Sequence, residues 1–115
     1  MKLIINIILA FIARVGFAVL GLFFYVTGII LIKNRSEYHL NIGISYDQLS
    51  NTVGAPLFNI ILRKKGGYKF GHPDDTISAV LGKLKASGHL TILGKFFATM
   101  LNKIEKDHVE KAAKL

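Results

Sequence analysis

The chain has 115 residues, 51% of them hydrophobic and 19% charged, with a formal net charge of +8. It has no cysteine, which excludes disulfide frameworks, thiolate metal sites and cysteine nucleophiles. Once the apolar N-terminus is set aside, the remainder is large enough for one small domain at most.

Met1 to Ala13 is apolar except for Lys2 and Asn6, and Arg14 interrupts it. Val15 to Ile32 then passes without a charged side chain before Lys33-Asn34-Arg35 closes the run. As a helix this run rises about 27 Å, close to the hydrocarbon thickness of a bilayer. A backbone there must satisfy its own hydrogen bonds, so the run should be helical. The first eleven apolar residues are too few to span alone, and a buried arginine is costly. The expectation is one long, tilted transmembrane helix with Arg14 near an interface and Val15, Phe17, Leu20, Phe23, Phe24, Ile29 and Ile32 as membrane anchors. Residues 1–35 would form this anchor and 36–115 a small basic domain. Ala10-Phe11-Ile12-Ala13 fits a signal-peptidase site poorly, so an uncleaved anchor is expected. Gly21 and Gly28, seven residues apart, share a helix face that would admit self-association through close helix packing.

All seven acids and all basic residues except Lys2 and Arg14 follow Ile32. A basic domain beside a bilayer attracts anionic lipid head groups, with Lys33, Arg35, Arg63, Lys64 and Lys65 the candidate lipid-facing cations. Nucleic acid is not expected, because no basic-aromatic stripe or zinc-finger spacing accompanies the charge. The downstream lysines and arginines favour a single-pass protein with a cytoplasmic C-terminal domain.

Residues 36–44 read as a juxtamembrane connector. Ser45 with Gln48 gives a capping-box pattern, so a helix is expected from Tyr46 to about Val53, ended or kinked by Gly54-Ala55-Pro56. Leu57 to Leu62 is too short to assign to strand or helix, and Arg63-Lys64-Lys65-Gly66-Gly67 is a basic turn or loop. Pro73, Asp74, Asp75 and Thr76 mark a second helix start. That helix carries Ile77, Val80, Leu81 and Leu84 at helical spacing and stops at Ser87-Gly88. A final helix from about Thr91 to Ala112 carries Leu93, Phe96, Phe97, Met100, Leu101 and Ile104 as an apolar stripe, with His108 on its continuation. The fold expected is all-α: a transmembrane helix, then about three short helices around a modest core. His39, His72 and His89 read as scattered, solvated loop residues with no metal spacing.

Three polar groups stand out: Asp47, Gln48 and Asn51; Asp74, Asp75, Thr76 and Ser78; and His108. Asp47-Gln48-Leu49-Ser50-Asn51, Gly71-His72-Pro73-Asp74-Asp75-Thr76-Ile77-Ser78 and Asp107-His108-Val109-Glu110-Lys111-Ala112 together resemble a largely uncharacterised family of small phage and prophage membrane proteins. That family's pattern is D-Q-x-x-N, then G-x-x-D-E-T-[IL]-S, then a C-terminal G-H-C-like motif behind a hydrophobic N-terminus. The resemblance covers roughly residues 46–112. It implies an anchored architecture and a phage or prophage origin rather than an activity. Asp75 replaces the family's usual glutamate, Val109 its frequent cysteine and Val80 a frequent basic residue, while residues 55–67 look like an insertion.

The structural reading of these groups comes first. Asp74, Asp75 and Thr76 would be helix caps, Asp47 and Asn51 a hydrogen-bonded helix face, and His108 a satisfied histidine near a helix end. A buried hydrogen-bond network would then specify how the helices meet. The sharper alternative has them converge, so that His108 with Asp47 or Asp75 serves as a general base in a membrane-surface hydrolase or as a metal site. No complete catalytic or metal-binding motif is present, so neither an enzyme nor a cofactor is the expectation. The leading expectation is a structural or interaction role at the membrane surface. A holin-like or other phage lysis factor is the alternative that the size and the resemblance suggest.

Overall fold

The computed structural model describes residues 2–114. The described chain is all-helical: α1 Lys2–Leu31, α2 Arg35–Ile61, α3 Ile77–Ser87, α4 Ile92–Ile104 and α5 His108–Ala113. Among the described residues the one element of β pairing is an isolated antiparallel bridge between Arg63 and Leu90. The chain divides into two compact units, Met1–His39 and Leu40–Leu115. The division falls inside α2.

In the first unit, α1 is one uninterrupted helix that includes Arg14. By length and composition it is long and apolar enough to cross a membrane, with a mean hydropathy of 2.5. Val15, Phe17, Leu20, Phe23 and Phe24 are all exposed. In water such a surface would be strongly unfavourable; against acyl chains it is the expected one. After α1 the chain turns sharply. Asn34 Oδ1 accepts the Glu37 N–H at 3.0 Å, and Asn34 Nδ2 donates to the Glu37 carboxylate at 3.3 Å. This reciprocal cap starts α2, and Arg35 Nε donates to the Ile29 carbonyl at the end of α1 (3.2 Å).

Residues 36–44 therefore are helix, not a connector. The expected start at Ser45 is likewise internal to α2: its hydroxyl donates to the Asn41 carbonyl one turn back. Nor does the helix stop at Gly54-Ala55-Pro56. Proline removes one helical hydrogen bond, but Phe58, Ile61 and Leu62 just beyond it pack on the core and carry the helix through. Gly54 leaves room for the Phe58 ring, which a Cβ there would strike.

In the second unit the core is built around α3. Val80, Leu81 and Leu84 are fully buried with Leu62, Phe70, Leu90, Ala98 and Val109. Phe58 and Phe70 meet edge to face at 5.5 Å. Thr76 caps α3 by accepting the Ala79 N–H at 3.0 Å, as expected. Gly88 ends it in the left-handed conformation, donating to Leu84 and Lys85 carbonyls.

The expected last helix is two. α4 ends at Ile104, Asp107 takes φ 56°, and α5 starts at His108. The break lets α5 turn back against α3, its main neighbour. Gly82 makes this approach possible: a Cβ there would collide with the Val109 carbonyl and Ala113. Asn102 holds the fold-back from α4. Its Oδ1 accepts the Val109 N–H at 2.9 Å and its Nδ2 donates to the Glu110 carboxylate.

The apolar stripe of α4 is not core. α4 buries Gly94 and Ala98, with Leu101 partly covered. Leu93, Phe96, Phe97, Met100 and Ile104 are exposed, Phe96 by 57% and Ile104 by 81%. The small inner residues bring α4 close to the core and turn the large ones outward.

Candidate functional site

Asp47, Gln48 and Asn51 lie on one face of α2, since positions three and four apart are neighbours on a helix. Gln48 and Asn51 reach the backbone of the loop that precedes α3, and Asp47 reaches the first residue of α3 itself. Asn51 is fully buried. Its Nδ2 donates to the carbonyls of His72 (3.1 Å) and Asp75 (3.0 Å), and its Oδ1 accepts the Gly71 N–H (3.2 Å). Gln48 Nε2 donates to the Asp74 carbonyl at 3.1 Å. Asp47 Oδ1 accepts the Ile77 N–H at 2.7 Å. Ile77 is the first residue of α3, so Asp47 caps from another helix one of the orphan donors at that end. Gly71 has φ 120°, a conformation that keeps the loop backbone turned for this contact.

Asn59, further along α2, repeats the device. It donates to the Phe70 carbonyl (3.2 Å) and accepts the Phe70 N–H (2.8 Å). Sequence reasoning passed over it, although an asparagine inside Leu57-Phe58-Asn59-Ile60-Ile61 is a polar residue in an apolar run.

Asp75 does not cap α3. Its carboxylate accepts the Tyr68 hydroxyl at 2.6 Å and lies 3.8 Å from Lys83 Nζ, which sits over the Tyr68 ring at 4.3 Å. The hydrogen bond to Asp75 raises the Tyr68 pKa above its ordinary value, with partial burial adding to it. Asp74 donates its N–H to His72 Nδ1 at 3.1 Å, and its exposed carboxylate lies 3.9 Å from the same nitrogen.

His108 lies between Ser78 and Glu105. Its Nε2 is 3.1 Å from Ser78 Oγ and its Nδ1 3.3 Å from a Glu105 carboxylate oxygen. Hydroxyl, imidazole and carboxylate thus follow the order of a nucleophile, base and orienting acid. Ser78, however, is only 5% exposed. Two open cavities, of about 310 and 210 Å³, are lined by residues outside the three polar groups. The chain Ser78–His108–Glu105 is a strut that fastens α3 to the fold-back at α5. Next to it, Glu110 bonds both Lys85 and Asn102. The Lys85 hydrogen bond holds its pKa below the usual glutamate value.

The polar groups make their contacts in two places along the start of α3. Asp47, Gln48 and Asn51 meet the backbone of residues 71–77, whereas His108 meets Ser78 and Glu105. Among the described residues no group of three or more histidines and carboxylates is placed to hold a metal ion.

Of the remaining histidines, His72 and His89 lie in loops as expected, and His39 does not. His39 is helical, with Nδ1 2.7 Å from the Arg35 carbonyl and Nε2 2.7 Å from the Tyr25 hydroxyl. His72 accepts from Asp74, and His89 Nδ1 lies 2.8 Å from Ser87 Oγ. Of the candidate lipid-facing cations, Lys33, Lys64 and Lys65 are exposed. Arg35 is held by Ile29, and Arg63 donates to the Gly67 carbonyl at 3.0 Å. The Gly28 face is occupied within the chain by Tyr38, and Gly21 lies under the Phe17 ring.

No family model, curated protein or solved structure matches the chain.

Proposed function

We propose that the chain is a single-pass membrane-anchored protein of phage or prophage origin, with a structural or interaction role for its second unit at the cytoplasmic membrane surface. The observation that carries the reading is α1. It is a continuous apolar helix of 30 residues whose side chains stand exposed along its length. The polar motifs support a structural rather than catalytic role, because their hydrogen-bonding capacity goes into holding the unit's own loop and fold-back. The order and spacing of the motifs support the phage or prophage origin. The lysines of the second unit, with the exposed Lys33 beside the end of α1, suit attraction to anionic head groups.

The test is expression of the full chain with a reporter at either end, followed by alkaline extraction and mass determination. An integral protein that retains Lys2 and has its C-terminus inside the cell is expected. Release by alkali, or a mature chain that starts after α1, would remove the anchor reading. A C-terminus outside the cell would reverse the orientation alone.

A further inference from the structure

On helical geometry five of the exposed apolar side chains of α4 form one arc, and exposed Ile92 in the first turn lies about 40° beyond its Phe96 edge. Phe96, Met100, Leu93, Ile104 and Phe97 fall within roughly 100° of one another at 100° per residue. The arc runs into an apolar groove of about 210 Å³ whose lining includes Phe58, Leu81, Leu101 and Ile104 and exposes no polar surface. A continuous apolar patch of this kind on a folded unit marks an interaction surface. Its charge surroundings choose the occupant. α4 contains no acid and carries Lys95 and Lys103. Lys103 stands seven residues after Phe96, at the edge of the arc, where its stem can follow the apolar surface while the ammonium reaches outward. Past the helix end Lys106 stands between Glu105, whose carboxylate lies beside the His108 ring, and Asp107. Pairing with a second copy through this face would set lysine against lysine with no acid on the helix to offset it. An anionic lipid surface offsets them all. The helix has 13 residues, about 20 Å in length, which is too short to span and suited to lying in the plane of the interface.

We propose that α4 is a second membrane contact: an in-plane amphipathic helix whose Phe96, Phe97, Met100 and Ile104 enter the boundary between head groups and acyl chains. The inference rests on the reading of α1 as an anchor. Insertion is shallow, about 5–10 Å deep for a helix of this kind.

The chain has no tryptophan, so a single introduced one reports alone. Full-length Phe97→Trp and, as a second reporter on the same face, Phe96→Trp are reconstituted into vesicles of phosphatidylcholine and phosphatidylglycerol. The acyl chains are brominated either near the carbonyl or near the terminal methyl. Phe23→Trp in α1 serves as the anchor control. Expected are a blue-shifted emission for the α4 reporters and stronger quenching by shallow than by deep bromines, with Phe23→Trp quenched as well. Quenching of Phe23→Trp with unquenched, water-like emission at both α4 positions overturns the α4 contact and leaves the anchor intact. Blue-shifted but unquenched α4 reporters overturn it too, since protein rather than lipid would then cover the face. An unquenched Phe23→Trp removes the anchor and this inference with it.

Discussion

Replacing Asn51 by alanine tests whether the first polar motif is structural. Asn51 is fully buried and makes three hydrogen bonds to loop backbone. At about 1 kcal/mol net for each bond, the loss is about 3 kcal/mol, and more if the freed groups stay dry. A unit of this size has a total stability of roughly 4–11 kcal/mol, so the change removes a large share. Global helicity is a poor readout, because α1 stays helical in detergent. Hydrogen exchange at the Gly71 and Ile77 amides is the suitable one, since Asn51 holds the first directly and the loop that presents the second. About 3 kcal/mol corresponds to exchange faster by roughly two orders of magnitude. Asn51→Asp retains the acceptor for Gly71 but sets a carboxylate against two carbonyls, and should be at least as disruptive near neutral pH. If Asn51→Ala changes protection at Gly71 no more than a substitution at exposed Ser50 does, the motif does not hold the loop.

Three further outcomes follow from the packing and the ion pairs. Because its partners lower its folded pKa, Glu110 contributes stability above its unfolded pKa that is lost as pH falls through the folded value; exchange at the Val109 amide should rise over that acidic range in the native chain and lose this dependence in Glu110→Gln. Tyr68 has the opposite sign. Its raised pKa contributes stability below the ordinary tyrosine value that is lost as pH rises through the folded one, so in ultraviolet titration Tyr68 should ionise late in the native chain and earlier in Asp75→Asn. Gly82→Ala should lower the midpoint of thermal unfolding by forcing α5 away from α3, at a cost of about 1–3 kcal/mol or more because the blocking atom is backbone; an unchanged midpoint would contradict the packing of the two helices.

The long apolar helix α1 and the Thr76 cap were legible because both signals are local: a long apolar run, and a threonine before an apolar period. The Asn34 cap with its Glu37 partner is equally local, but the charged residues around it read as the end of a membrane span. Pro56 misled in the other direction. A proline signals a break, but whether the helix continues depends on burial of Phe58 and Leu62, which the local pattern does not reveal. The α4 stripe shows a general ambiguity: periodicity marks an apolar face without saying what covers it, and here Gly94 and Ala98 face the core instead. The partners of Asn51, Asp47 and Ser78 lie 20 to 30 positions away, so no spacing rule reaches them.

The grip on the loop before α3 also divides it into parts that can and cannot vary. Asp47, Gln48, Asn51 and Asn59 hold its carbonyls and amides, groups that every residue but proline supplies in full. The exposed side chains of His72 and Asp74 bond within the loop rather than to α2, His72 Nδ1 accepting the Asp74 N–H. The loop can therefore be rewritten at such positions without loosening its seat. The four α2 residues cannot be exchanged without replacing a donor or an acceptor. Among related chains, diversification should concentrate on the held segment, while the helix that holds it stays fixed.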